Sequence, residues 1–201
     1  AGSLTCSLTG IPDHREMTDT RHFFQTLVLY VEPAEVDVIC ESAIDFLYSE
    51  GIIERETTAC APDRRPARPP GPHWQGAIVE LDETFLGREA NGVECERGRQ
   101  LFRPGPYAMT MRCPQCGATH RVDDTWRKSA EKWEGGEDAE LTCQQCSEAT
   151  RVDRWVYDPP VGFGNVGLVF WNWPSLNHEF IERMGGALGT KIALIEGESS
   201  R

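Results

Sequence analysis

The sequence predicts an α+β protein with one mixed sheet, built from two β-α-β-like units and an inserted cysteine-rich module. Two observations predict the units. An aromatic-rich apolar run, a proline and a helical pattern follow one another near the start of the chain, and the same order returns near its end. A third observation predicts the insertion, because two pairs of closely spaced cysteines lie between the units. Strands of both units are expected to share the sheet.

The first unit is expected after an irregular lead-in, residues 4–22. Residues 23–31 are rich in aromatic and β-branched side chains, which is typical of a buried strand. Pro33 suits the first turn of a helix, and apolar residues then recur at helical spacing until Gly51. Ile52-Ile53 is expected to begin a second, short strand. Cys40 lies on the apolar side of the helix and is expected to be a small core residue.

The stretch after this unit has few regular patterns. Residues 59–72 contain five prolines and three arginines, which predicts a long loop or linker. Residues 76–81 are expected to form a strand. Two short strands of a meander are expected at residues 93–95 and 100–102, among turn-forming residues.

The second unit repeats the plan of the first. Residues 167–173 predict a strand, Pro174 is expected to open a helix, and residues 191–195 predict a closing strand. Alternation along the first of these strands would place Trp171 and Trp173 on one face, with Phe170 and Asn172 on the other.

The cysteines define the chemistry of the module. Cys113-Pro-Gln-Cys116 and Cys143-Gln-Gln-Cys146 are two Cys-x-x-Cys pairs, separated by twenty-six residues. Two thiolates three positions apart can bind one cation, and Zn²⁺ prefers four such ligands. The sequence therefore predicts a zinc site formed by Cys113, Cys116, Cys143 and Cys146. Because four protein ligands leave no open position for water, the zinc is expected to be structural, and no catalytic residue is assigned.

The two cysteine pairs have matching surroundings. In each half, four residues follow the second cysteine and Arg-Val-Asp comes next, at residues 121–123 and 151–153. Two hairpins that close around one ion, each with a cysteine pair at its turn, resemble a zinc ribbon. An insert around residues 126–136, with a short helical stretch, is expected to project from the ribbon. His120 is expected to be peripheral, since four thiolates complete the shell.

This pattern implies a division into three parts. Residues 4–107 are expected to form an N-terminal α+β part, with the loop 59–72. Residues 108–157 would be the zinc-ribbon insertion. Residues 158–201 would be the C-terminal unit that completes the N-terminal sheet.

Charge and cysteine usage limit the classes of partner and compartment. The formal net charge is −12 and the isoelectric point is about 4.9, so the chain should repel nucleic acid. Such a charge is typical of a surface that only keeps a protein in solution, and also of an acidic face that binds a basic protein partner. No segment is apolar enough to cross a membrane, and no export signal is apparent. The remaining cysteines lie singly in the sequence, which favours a reducing cytoplasm.

Several patterns that could carry catalysis lack the context they need. Residues 162–167 match Gly-x-Gly-x-x-Gly, but a strand-like run follows the glycines where a helix should begin, so a glycine-rich turn is expected. The acidic pairs Asp82-Glu83 and Asp123-Asp124 could bind Mg²⁺, yet each has no third converging group and is expected to be solvated. His178-Glu179 lacks the second histidine of a zinc protease helix.

Three functional hypotheses follow. The first is a cytoplasmic, non-catalytic binding protein with structural zinc that neutralises a basic protein. In its small size, acidity and class, the chain is similar to bacterial immunity proteins, and this likeness implies a toxin partner such as a nuclease. The alternatives are a zinc-ribbon protein associated with nucleic acid or transcription, and an enzyme whose site is too dispersed to recognise.

Overall fold

A computed structural model describes residues 21–199 of the chain, so Cys6 and nearly all of the predicted lead-in lie outside the described residues. No helix in this part of the chain is both long and apolar enough to cross a bilayer. The helices are α1 (Val36–Ser49), α2 (Asp124–Glu134) and α3 (His178–Leu188). The strands are β1 (His22–Leu29), β2 (Val93–Phe102), β3 (Thr110–Arg112), β4 (Thr119–Arg121), β5 (Glu140–Thr142), β6 (Ala149–Arg151), β7 (Val156–Asp158), β8 (Gly162–Trp171) and β9 (Ala193–Ser199).

The main sheet has four strands in the order β2-β8-β1-β9. The α+β class is confirmed, but neighbouring strands of this sheet are all antiparallel, so the sheet is not mixed. The reason is that the two units interleave: β8 separates β1 from β2, and β1 separates β8 from β9. The resulting β-α-β-β-α-β order is that of ferredoxin-like sheets.

The core lies between the main sheet and the helices α1 and α3. Leu27 of β1 is paired with Leu168 of β8, and both are fully buried on this side. Phe46 of α1 and Phe180 of α3 lie 6.4 Å apart, ring centroid to centroid, which brings the two helices together over the sheet. The regularly spaced apolar residues that predicted the helices form the helix faces that are buried against the sheet.

The first unit closes later in the chain than predicted. Ile53 makes only an isolated bridge with Pro70, so no strand begins at Ile52-Ile53, and the unit closes with β2. The strand predicted at residues 76–81 is also wrong. Residues Trp74–Ala77 form a short 3-10 helix, followed by an isolated bridge at Ile78. Neither segment has continuous strand pairing, but five of their side chains lie in the core: Ile52, Ile53, Trp74, Ala77 and Ile78.

The two short strands predicted for a meander are parts of one strand, β2. Its register against β8 shifts between Arg97 and Gln100, so the strand continues through a bulge. Gly98 lies in this bulge with a φ of 105°, a conformation that glycine adopts without steric cost. A glycine in a strand signals either a turn or a bulge, and the sequence alone does not distinguish them.

The glycine-rich segment 162–167 is part of strand β8 and not a turn. A Cβ atom at Gly167 would lie 2.3 Å from the ring of Phe102, and one at Gly164 would lie 2.4 Å from Val28. The missing side chains therefore let neighbouring apolar groups pack directly on the strand. No helix follows these glycines, which agrees with the rejection of a dinucleotide site.

The prediction that Trp171 and Trp173 lie on the same face of one strand is wrong, because β8 ends at Trp171. Asn172 adopts a φ of 53°, which interrupts the alternation of side chains. Trp173 consequently packs on the helix side, with its ring 5.2 Å from that of Phe170, whereas Trp171 packs on the opposite side with Phe24. Both tryptophans are buried, as expected.

The C-terminal helix and strand begin later than predicted. Helix α3 starts at His178, where the side chain of Asn177 accepts a hydrogen bond from the Phe180 N–H at 2.6 Å. Pro174 lies before the helix, in the segment that runs from β8 to this N-cap. Asparagine is a preferred N-cap residue, so Asn177 indicates the start of the helix in the sequence itself. The prediction chose Pro174 because proline is also common in the first turn of a helix. The closing strand is β9, two residues beyond the predicted start.

Two of the single cysteines are joined. Cys40 of α1 and Cys95 of β2 form a disulfide across fifty-five residues, so the expectation that Cys40 is only a small core residue is wrong. Cys60 is a buried free thiol that donates a hydrogen bond to the Ala67 carbonyl. Because disulfides persist mainly in oxidising compartments, cysteine usage no longer favours a cytoplasmic location.

Candidate metal centre

The four cysteines of the Cys-x-x-Cys pairs lie at the turns of two short hairpins. Strands β3 and β4 form one hairpin and β5 and β6 form the other. The turns are equivalent: Gly117 N–H donates to the Cys113 carbonyl at 3.0 Å, and Ser147 N–H donates to the Cys143 carbonyl at 2.9 Å. Gly117 and Ser147 both have positive φ, so the matching sequences fold into matching turns.

The two turns bring the four sulfur atoms together. All four lie within 4.8 Å of one another, and the Cys113–Cys146 and Cys116–Cys143 pairs are 3.9 and 3.7 Å apart. A tetrahedron with metal–sulfur bonds of about 2.3 Å has sulfur–sulfur edges of about 3.8 Å. The separations therefore suit a metal ion bound by four sulfurs and are far too long for disulfides.

The surroundings favour the thiolate form of Cys143. The Cys146 N–H is the largest influence that lowers the pKa of Cys143, to about 6, and the Gln145 N–H and His120 act in the same direction. The Glu148 N–H lowers the pKa of Cys146, but burial and the three neighbouring sulfurs outweigh it and raise that pKa to about 12. Four sulfurs this close cannot all ionise without a cation, and a divalent metal would supply that charge.

His120 contacts the cluster from outside the set of four. Its Nε2 lies 3.4 Å from Cys143 Sγ, and its ring packs edge to face against Trp155, 5.7 Å between centroids. This position agrees with the peripheral role expected for His120. A ring N–H that donates a hydrogen bond to a thiolate ligand stabilises the negative charge of the sulfur and does not replace a ligand.

The insert between the hairpins does not project from the module. It forms helix α2, with Asp123 as N-cap and Gly135 after the last turn, and its residues Trp126, Ala130 and Trp133 are buried. The helix was predicted, but its packing was not. Its apolar positions recur at intervals of three and four residues, which is the signal of a buried face.

Two aromatic side chains fix α2 against the ribbon strands. The Trp126 indole N–H donates to the Tyr157 hydroxyl at 3.0 Å, and that hydroxyl donates to the Val152 carbonyl at 2.6 Å. Burial raises the pKa of Tyr157, so the hydroxyl keeps its proton as a donor. These residues support the cysteine hairpins, and no sequence motif indicated them.

The part of the chain that contains the cysteine hairpins and α2, residues 108–157, is called the metal module here, and it packs on the main sheet. The Trp133 ring lies 5.0 Å from that of Phe163 of β8, and the guanidinium carbon of Arg99 lies 4.3 Å from the centre of the Trp133 ring. Glu134 accepts a hydrogen bond from the Leu101 N–H of β2 at 2.9 Å. The cysteine cluster therefore lies in a unit that shares an apolar contact with the sheet.

The other predicted candidates have structural partners. Asp82 accepts hydrogen bonds from Thr84 and pairs with Arg88; the Thr84 hydroxyl is the main cause of its lowered pKa. In the second acidic pair, Asp123 is the N-cap of α2 and Asp124 pairs with an arginine one turn later. These three acids thus have partners within the chain.

The negative charge is concentrated around helix α1. Residues 32–56 contain eight carboxylates and one basic residue, Arg55. Asp37, Glu41 and Asp45 recur every four residues and lie on one side of the helix, with side chains 86%, 64% and 61% exposed. Arg97 pairs with the first two and Arg55 with the third. This acidic face of α1 belongs to a segment that remains strongly negative when both arginines are included.

Comparisons of the chain with protein-family models, with curated proteins and with solved structures found no match. The residues that can hold a metal ion are therefore identified by their own geometry. They are Cys113, Cys116, Cys143 and Cys146.

Proposed function

We propose that the chain is a non-catalytic binding protein in which a structural zinc ion supports the fold and the acidic face of α1 binds a basic protein. The observation that carries the binding proposal is the concentration of exposed carboxylates at residues 32–56. Such a surface accelerates encounter with a positively charged partner and rejects other acidic proteins.

Zinc is the metal we propose for the four cysteines. Tetrahedral sites with four sulfurs hold zinc or iron, and zinc needs no redox partner. Cys113, Cys116, Cys143 and Cys146 would fill all positions, so no water or substrate could reach the ion. The metal would then hold two hairpins together, as in a zinc ribbon.

The partner class we propose is a basic toxin, in particular a nuclease, which the chain would neutralise as immunity proteins do. Support for this class comes from the acidity, the moderate size and the α+β fold of the chain. A nuclease has a positively charged cleft for nucleic acid, and a row of carboxylates on a helix matches that charge.

The test uses the chain as bait in an extract of its source cells at low salt. Two triple variants each remove three negative charges, so a difference between them reports where the charge lies and not how large it is. The α1 variant carries Asp37→Asn, Glu41→Gln and Asp45→Asn, and the module variant carries Glu131→Gln, Glu137→Gln and Glu140→Gln. The proposal expects one basic protein, captured by the parent and the module variant, with an association rate that falls with salt.

Equal capture by the α1 variant would contradict the proposed face, and an acidic partner would contradict the proposed function. A captured nuclease should lose activity when the chain is added. A gel shift at low salt tests the nucleic-acid alternative, and the proposal expects no retardation of DNA or RNA.

A further inference from the structure

The face of the main sheet opposite helix α1 is only partly covered. Cys95 and Arg97 of β2 point towards α1, through the disulfide with Cys40 and an ion pair. Glu94 and Glu96 alternate with them and therefore lie on the other face. Loop 59–72 covers one end of this face, and the metal module covers the other.

A groove of about 190 Å³ lies between these two covers. Its wall is aromatic, because the rings of Phe24 and Trp171 meet edge to face with centroids 5.7 Å apart. Glu96 lines the groove together with Thr26 and Gln100. The volume corresponds to about six water molecules, since water occupies roughly 30 Å³ in the liquid, and this is enough for the end of a side chain.

The chain already holds one guanidinium group beside this groove. The Arg65 guanidinium carbon lies 5.4 Å from the centre of the Trp171 ring, and its Nη2 lies 3.1 Å from Glu94 Oε2. The Trp171 indole N–H donates to the same carboxylate. An aromatic face next to a carboxylate is a favourable environment for a planar cation.

Within the described part of the chain, Glu96 forms no ion pair of this kind. None of the ion pairs formed within residues 21–199 includes it, although its side chain is half-buried. Burial, and then the neighbouring Glu94, raise its pKa and outweigh Arg65 and the hydrogen bond with Gln100, which lower it. Arg103 also lines the groove, but its guanidinium carbon lies 5.0 Å from the Trp126 ring. A half-buried carboxylate that lacks a direct ion pair favours a bound cation.

We propose that this groove binds the guanidinium group of an arginine side chain, with Glu96 as the counter-ion and the Phe24 and Trp171 rings as the packing surface. The bound group would take the place beside Glu96 that Arg65 takes beside Glu94. The groove lies on the face opposite α1, so this proposal does not rest on the proposed function.

The experiment titrates the full chain with Nα-acetyl-arginine methylamide and follows the indole N–H signals by NMR. Nα-acetyl-citrulline methylamide is the matched neutral probe, because it has the same shape without the charge. We expect the arginine probe to shift the Trp171 signal with a millimolar dissociation constant and to leave Trp74 unchanged. Glu96→Gln should weaken binding about tenfold or more, and Glu179→Gln, an exposed carboxylate on α3, should leave it unchanged.

Three results would overturn the proposal: equal shifts with both probes, a Glu96→Gln variant that binds as tightly as the parent, or no shift of Trp171 at all. Retention of all six indole signals in Glu96→Gln shows that the variant is folded, so a loss of binding is local. Because the basic-partner experiment uses variants on α1, the two proposals succeed or fail separately.

Discussion

Replacement of Cys143 by serine should unfold the metal module and leave the main sheet intact. Each cysteine hairpin has strands of only three residues, and hairpins of this size are marginal in water without a further constraint. Structural zinc contributes on the order of 10 kcal/mol or more of apparent binding free energy. A whole domain is stable by only about 5–15 kcal/mol, so we expect the module to lose its fold without the proposed ion.

The assay is the indole N–H region of the NMR spectrum, because three tryptophans lie within residues 108–157 and three lie outside them. The Trp155 indole donates to the Thr150 carbonyl within the module, and the Trp173 indole donates to the Asn91 carbonyl beside the main sheet. In Cys143→Ser, or after a strong chelator, we expect the Trp155 signal to lose its dispersion and the Trp173 signal to remain.

Cys60→Ser is the matched control, since Cys60 is a buried thiol outside the cluster. A serine hydroxyl can donate to the same Ala67 carbonyl, so the expected loss is about 1 kcal/mol in the free energy of unfolding. An unchanged Trp155 signal in both Cys143→Ser and the chelated protein would refute the structural role of the metal.

Three further substitutions test the packing and the electrostatics of the fold. Phe85→Ala should lower the free energy of unfolding by about 3–5 kcal/mol in urea denaturation, because this fully buried ring lies between two tryptophans. Tyr157→Phe should cost about 1–3 kcal/mol by the same assay, because it leaves the buried Trp126 indole N–H without its acceptor. Glu96→Gln should raise the melting temperature near neutral pH and not in acid. The raised pKa of Glu96 means that its ionisation disfavours the folded state, and this effect is absent once the carboxyl is protonated in both states.

Local patterns in the sequence were sufficient for much of the fold and for the candidate site. The Cys-x-x-Cys spacing and the repeated Arg-Val-Asp predicted two equivalent hairpins, and the sulfurs of Cys113, Cys116, Cys143 and Cys146 do converge. Helical periodicity located α1 to within a few residues, and the short helical stretch expected around residues 126–136 is α2. These features depend on neighbours within one turn or one hairpin, so their causes are visible in a short window of sequence.

Features that depend on distant parts of the chain were missed. The Cys40–Cys95 disulfide and the interleaving of β8 between β1 and β2 bring together residues far apart in sequence. The bulge at Gly98 and the positive φ of Asn172 are single-residue changes that redirect whole strands, and composition does not distinguish them from turns. The packing of α2 on the main sheet likewise depends on the contact between the rings of Trp133 in α2 and Phe163 in β8.

The most direct measurement of the central claim is metal analysis of the purified chain combined with X-ray absorption at the zinc edge. The account predicts one zinc per chain with four sulfur neighbours at about 2.3 Å, and loss of that signal in Cys143→Ser. A chain that is folded in residues 108–157 without metal, or whose zinc has nitrogen or oxygen neighbours in place of the four sulfurs, would contradict it.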